Sequence, residues 1–179
     1  NAFDLSELIN VGKLDSYLVQ PKNVLISVIT SNISTSAIGD LIYGYIILFI
    51  CGFTLQKFIL FTIFTILGGL ILTAISVILN SLSFWFNKMD VVADTINHMM
   101  LNFATYPEGI FKGLAKILLY TLIPVGIVNY IPVQIMTEFN LHLFLIVIGV
   151  TTLLITLAFI VFYKGLKRYS SSNLMVARI

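Results

Sequence analysis

Apolar positions gather into four long runs, separated by shorter mixed stretches. The first extends from Ile38 to Leu55 and is interrupted only by Asp40 near its start. The second, Phe58 to about Leu82, holds no charged residue. The third, Gly113 to Val133, carries Lys116 near its beginning and Pro124 inside it. The fourth, Leu141 to Tyr163, has no formal charge when His142 is counted neutral. A helix needs about 20 apolar residues to cross the hydrocarbon of a bilayer. The pattern therefore predicts four membrane-spanning helices, most plainly in the second and fourth runs. The stretch Phe58 to Leu67 has the residue types of a strand, but a lipid-facing strand alternates with polar positions and this run does not. Helices and closed barrels are the structures that satisfy their backbone in lipid.

The polar stretches also carry a pattern. Residues 1–37 are mixed, and Leu5 to Ile9 predicts a short helix that Gly12 ends, since glycine is favoured just past a helix C-terminus. Asp15 is placed to cap a second turn through Tyr17 and Leu18, which Pro21 stops. Leu8, Ile9, Leu14 and Leu18 are too few and too interrupted to span a membrane, but suit a groove on a partner. Leu14 and Leu18 lie four apart and share a face of an ideal helix. Between runs two and three, Phe84, Val91, Ile96, Met99, Met100 and Phe103 give residues 84–112 an apolar side at helical spacing. This predicts an amphipathic helix along the membrane interface, with a short, polar-lined extra span over 84–106 as the alternative. Pro124 predicts a kink within the third span.

Composition agrees with a membrane protein. Hydrophobic residues are 59% of the 179, charged residues 10%, and the mean hydropathy is +1.03. Soluble domains carry about 25% charged residues, and too few charges are present here to clothe a soluble core. The net charge of +2 gives no basic surface for nucleic acid. With four spans, Lys13, Lys22, Lys88, Lys112, Lys116, Lys164, Lys167, Arg168 and Arg178 fall on one face, and Lys57 on the other. Lysine and arginine accumulate in cytoplasmic loops, so residues 1–37, the middle loop and the tail 164–179 are expected in the cytoplasm. The single cysteine, Cys51, lies in an apolar run and has no partner for an intrachain disulfide. The first residues, Asn1 to Val11, read as interior sequence and show no leader pattern.

Candidate chemistry is sparse. There is no Gly-x-x-x-x-Gly-Lys-Ser/Thr loop, so nucleotide binding by that route is not expected. His98 and His142 have no ligand at metal spacing, and no catalytic triad or carboxylate pair is visible. Ionisable residues in mid-span mark function inside membranes, and runs two and four have none there. Asp40 is either an ion site or, more simply, an acid favoured by a helix start. Gly68 and Gly69 with Thr73 suit close helix packing in lipid. No catalytic residue, metal or bound cofactor is expected.

Three stretches together resemble one family. The first is Leu8-Ile9-Asn10-Val11-Gly12-Lys13-Leu14-Asp15-Ser16-Tyr17-Leu18-Val19-Gln20-Pro21, similar to the I-x-x-G-x-L-D-x-x-L-x-x-P segment of type-2 ABC (ATP-binding cassette) exporter permeases. The second is Tyr106-Pro107-Glu108-Gly109-Ile110-Phe111, followed by Ile123-Pro124 and Asn129-Tyr130-Ile131-Pro132. The third is the tail, Lys164-Gly165-Leu166-Lys167-Arg168-Tyr169-Ser170-Ser171-Ser172, similar to that family's closing G-x-x-x-Y-S-S. Their order and spacing match, and they cover the chain almost end to end.

The resemblance implies an all-α, polytopic permease working with a second permease and two cytoplasmic ATPase subunits that bind the ATP. The four runs correspond to the third to sixth of six helices, and the first two are lacking. Leu8, Ile9, Gly12, Leu14, Asp15, Leu18 and Pro21 would then form the ATPase-docking element in a multi-pass plasma-membrane protein with both visible termini cytoplasmic. A secondary transporter, or a membrane protein that only assembles others, are the competing readings. The former usually shows inverted repeats and mid-span ions, and no internal repeat is visible.

Overall fold

The computed structural model describes residues 2–32, 35–86, 89–121 and 124–170, and these carry helices and turns without a strand. Three short helices come first: α1 (Leu5–Asn10), α2 (Asp15–Leu18) and α3 (Val24–Ile29). Gly12 stands at φ +78, in the left-handed region glycine adopts without strain, and turns the chain between α1 and α2. Asn23 caps α3, its side chain accepting from the Ile26 N–H at 3.2 Å. At α2 the structure departs from the sequence expectation. Asp15 is the first helical residue, Leu14 occupies the cap position, and no side chain caps the turn.

Two helices are long and apolar enough to cross a membrane among the described residues. Helix α4 (Thr35–Ile50) is apolar but 16 residues long, about 24 Å at 1.5 Å per residue. Helix α5 (Leu55–Ser81) has 27 residues, about 40 Å. It starts where Thr54 accepts from the Lys57 N–H at 3.2 Å, and ends in the turn Leu82–Phe84. Helices α4 and α5 form a hairpin around Gly52 (φ +105), closed by Tyr45 against Phe61 at 5.1 Å.

Several elements carry the third run, and the two residues just before Pro124 lie outside the described residues, so the kink expected there is left open. After α6 (Met89–Ala104) come α7 (Leu114–Thr121), a wide helical stretch Gly126–Tyr130 and α8 (Ile131–Thr137). Ile123, part of the motif quoted above, lies outside the described residues, as do Lys88 and the tail from residue 171. The Pro124 carbonyl accepts from the N–H groups of both Ile127 and Val128 at 3.1 Å. Pro132 then removes a donor inside the next turns, which fits the widened ladder just before it. The last helix, α9 (Leu141–Leu166), starts at Asn140, whose side chain accepts from the N–H groups of His142 and Leu143.

Helices α5 and α9 run parallel. Phe64 meets Phe144 at 5.8 Å near their starts, and Phe84 meets Phe162 at 5.8 Å near their ends. Gly165 permits the second contact, because a Cβ there would overlap the Phe84 ring. Helix α6 runs antiparallel to α5, with Asn97 against Ser76 and Met100 beside Leu72 and Ile75. Ala93, Asn97 and Met100 form its buried face, and Asn97 bonds α5 from it. Val128 then packs on Gly68, and Ile131 and Ile135 join Leu60 and Phe64. Residues 89–137 thus lead from the finishing end of α5 back to its starting end.

Candidate functional site

The residues expected to dock a partner fall into two groups. Leu14 is fully buried and Ile9 nearly so, in a core with Leu5, Leu25, Val28, Ala74, Val77, Ala158 and Phe162. Leu8 is half-buried against the same core. Leu18 is 40% exposed, Val19 83%, and Pro21 is exposed. Leu14 and Leu18 therefore do not present a common face. Leu14 precedes the first turn of α2 and is drawn inward beneath α1 and α3, whereas Leu18 sits at the outer rim.

Asp15 acts at longer range than a cap. Its carboxylate faces the Tyr169 hydroxyl just beyond α9, and burial together with this carboxylate pushes the tyrosine up to about 12. Tyr169 also packs on Phe84, with ring centroids 6.1 Å apart. The first and third stretches of the resemblance thus meet in space, a contact that sequence spacing cannot reveal. Glu7 and Lys13, both exposed, pair at 3.1 Å across the Gly12 turn.

A second feature is an open groove of about 1090 Å³ between α4, α5 and the segments after α6. Leu48, Phe61 and Gly68 form one wall, Tyr106 and Glu108 another, and Val133 a third, with Lys57 also on the lining. Here the two halves of the second stretch come together. The Tyr130 hydroxyl donates to the Tyr106 carbonyl at 3.0 Å, and Asn129 Nδ2 donates to the Ala104 carbonyl at 3.1 Å. Glu108 Oε1 receives the Tyr120 hydroxyl at 2.8 Å and the Lys116 ammonium at 2.7 Å. These bonds fasten the broken segment to the end of α6 and leave the groove's carboxylate already paired. Gly126 belongs to the same corner, since a Cβ there would come within 2.6 Å of the Tyr120 ring. No group of three metal-ligating side chains occurs among the described residues.

The sequence profile described as ABC-2 family transporter protein matches residues 1–173. The chain belongs to the ABC-2 transporter family. An ABC-2 chain is the membrane component of a transporter and not its catalytic subunit. No curated protein and no solved structure matches this chain. The ABC-2 match covers the buried N-terminal segment, the paired helices and the Tyr106–Pro132 corner alike. Sequence reasoning located the motif residues but missed Tyr169 as the partner of Asp15, and Tyr120 and Lys116 as partners of Glu108. Tyr120 and Lys116 are four apart on α7 and so share a face, the one local signal available.

Proposed function

We propose that this chain is a membrane-spanning permease subunit of an ATP-driven exporter, working with a second permease and with cytoplasmic ATPase subunits. The observation that carries the reading is the family match over residues 1–173. The placement of the N-terminal segment supports it. The segment is packed on the finishing ends of α5 and α9 and turns Leu18, Val19 and Pro21 outward. A partner gripping that rim pushes directly on two long helices, through Leu14 in the core and Asp15 against Tyr169.

The proposed topology has four crossings in a plasma membrane. Helix α4 leads out and α5 leads in. Residues 89–137 lead out as a composite of α6 and α8, with α7 as a side excursion, and α9 leads in. Because α5 and α9 are parallel, the chain between them has to return across the same thickness. Lys13, Lys22, Lys164, Lys167 and Arg168 belong to the segments at the finishing ends of α5 and α9, and Lys57 to the opposite end, so the former end is taken as cytoplasmic. Lys116 leaves that group, since it pairs with Glu108 beside the groove that Gly68 helps to line.

The test is the double variant Leu18→Asp with Val19→Asp, assayed for ATPase co-purification and for stimulated ATP turnover. The variant is expected to insert and dimerise normally while co-purification is lost and turnover falls to that of the ATPase alone. Normal co-purification with normal coupled hydrolysis would overturn the docking role. Leu14→Asp is unsuitable here, because a charge at a fully buried position disrupts the fold itself.

A further inference from the structure

The contact between α5 and α6 is polar where a bundle in lipid is expected to be dry. Ser76 Oγ donates to Asn97 Oδ1 at 3.0 Å, and Asn80 Nδ2 donates to the Ser76 carbonyl at 2.8 Å. Ser76, Asn80 and Asn97 are all buried. Their remaining polar atoms have no partner: Asn80 Oδ1 and Asn97 Nδ2 are enclosed and unbonded. So are Ser81 Oγ, Ser83 Oγ and Asp90 Oδ1, which continue toward the end of α5 and the start of α6. Five such atoms thus lie on α5, its closing turn and α6.

Buried polar groups are rarely left unbonded, and an enclosed water usually satisfies those that are. A small cation is the other guest that oxygen atoms attract. It binds with all its ligands within about 2.3–2.6 Å of one point. Asp90 and Asn97 are seven residues apart on α6, about 10 Å along its axis, so one ion cannot serve both ends. Asn97 Nδ2 is moreover a donor, which water accepts and a cation repels. Beyond Asn97 the polar character stops. Met100, Leu119 and Val125 are buried together with Leu72 and Ile75 against them. Leu72 also lines the groove on the far side.

We propose that the α5–α6 seam holds a file of bound water reaching from Asp90 to Asn97, closed above by the apolar layer around Met100. The file and the groove approach that layer from opposite ends, with about one helical turn between them. Helix α6 is then held to α5 by the Ser76–Asn97 bond and by the exchangeable water contacts around it. The water site itself does not depend on docking of an ATPase.

The experiment is water-to-protein magnetisation transfer by solid-state NMR on the full chain in lipid bilayers. The side-chain amides of Asn80 and Asn97 are expected to gain water magnetisation several-fold faster than the methyl groups of Ala74 and Ala158 in the dry core. The Met100 methyl is expected to remain as slow as those alanines. Absence of transfer at Asn80 and Asn97 would overturn the water file. Equal build-up at Met100 and Asn97 would overturn the closure. A sodium-dependent change in both amide signals would replace the water with an ion, and also overturns the proposal. Each result is read without ATPase or transport, so it stands apart from the outcome of the docking test.

Discussion

Gly165 shows how much a single missing side chain decides. Phe84 occupies the space of its Cβ and thereby locks the end of α5 to the end of α9. Gly165→Ala is expected to lower stability by about 1–3 kcal/mol through overpacking, read as a lower melting temperature. Gly149→Ala, on an open part of the same helix, serves as the control and should leave melting unchanged. Tyr169 yields a pH prediction. Its pKa is raised from 10.0 to about 12 in the fold, so folding favours the protonated phenol. Stability from this contact is present below pH 10.0 and is lost as pH rises from there through about 12. Tyrosinate absorbance and melting should show that alkaline step in the native chain and lose it in Tyr169→Phe. At this scale Gly12 was legible, because a glycine just past a helix end has one common use. The opposed fates of Leu14 and Leu18 were not. Spacing places them on one ideal face, but the positive φ at Gly12 and the core contributed by Leu25 and Val28 decide which of them turns inward.

Among elements, α5 and α9 could be read from the length of their apolar runs alone. The third run could not, because hydropathy measures composition and not continuity. Gly113 to Val133 is as apolar as a span, yet its described residues fall into α7, the wide stretch Gly126–Tyr130 and α8. Helix α6 carries polar residues on its packed side as well as outside, with Asn97 turned inward toward Ser76 and Ala93 fully buried. The arrangement predicts a labelling pattern with membrane-impermeant thiol reagents, after Cys51→Ser removes the one free cysteine. Gln56→Cys and Glu138→Cys are expected to react from one side only. Phe86→Cys and Lys167→Cys are expected to react only from the other. Reaction of Phe86→Cys and Glu138→Cys from the same side would remove the composite crossing.

For the whole molecule, the composition boundary near residue 37 is not a boundary in packing. Leu5, Ile9, Leu14, Leu25 and Val28 share one core with Ala74, Val77, Ala158 and Phe162. Deleting residues 2–32 should therefore lower melting and speed proteolysis of the remainder, although its long helices still insert. Unchanged melting would show that the segment rests on the bundle without supporting it. Leu14→Ala is the milder version and should lose about 2–5 kcal/mol.

That shared core also has a history. The ribosome delivers the parts of this core in chain order: α1 to α3, then α5, and Ala158 and Phe162 of α9 after both. Until α9 emerges, the apolar sides of Leu5 and Leu14 have half of their lining missing, and Val77 faces no Phe162. The core is thus complete only once α9 has joined it. A nascent chain stopped before α9 would carry an unfinished N-terminal segment at the membrane, where quality-control proteases meet it.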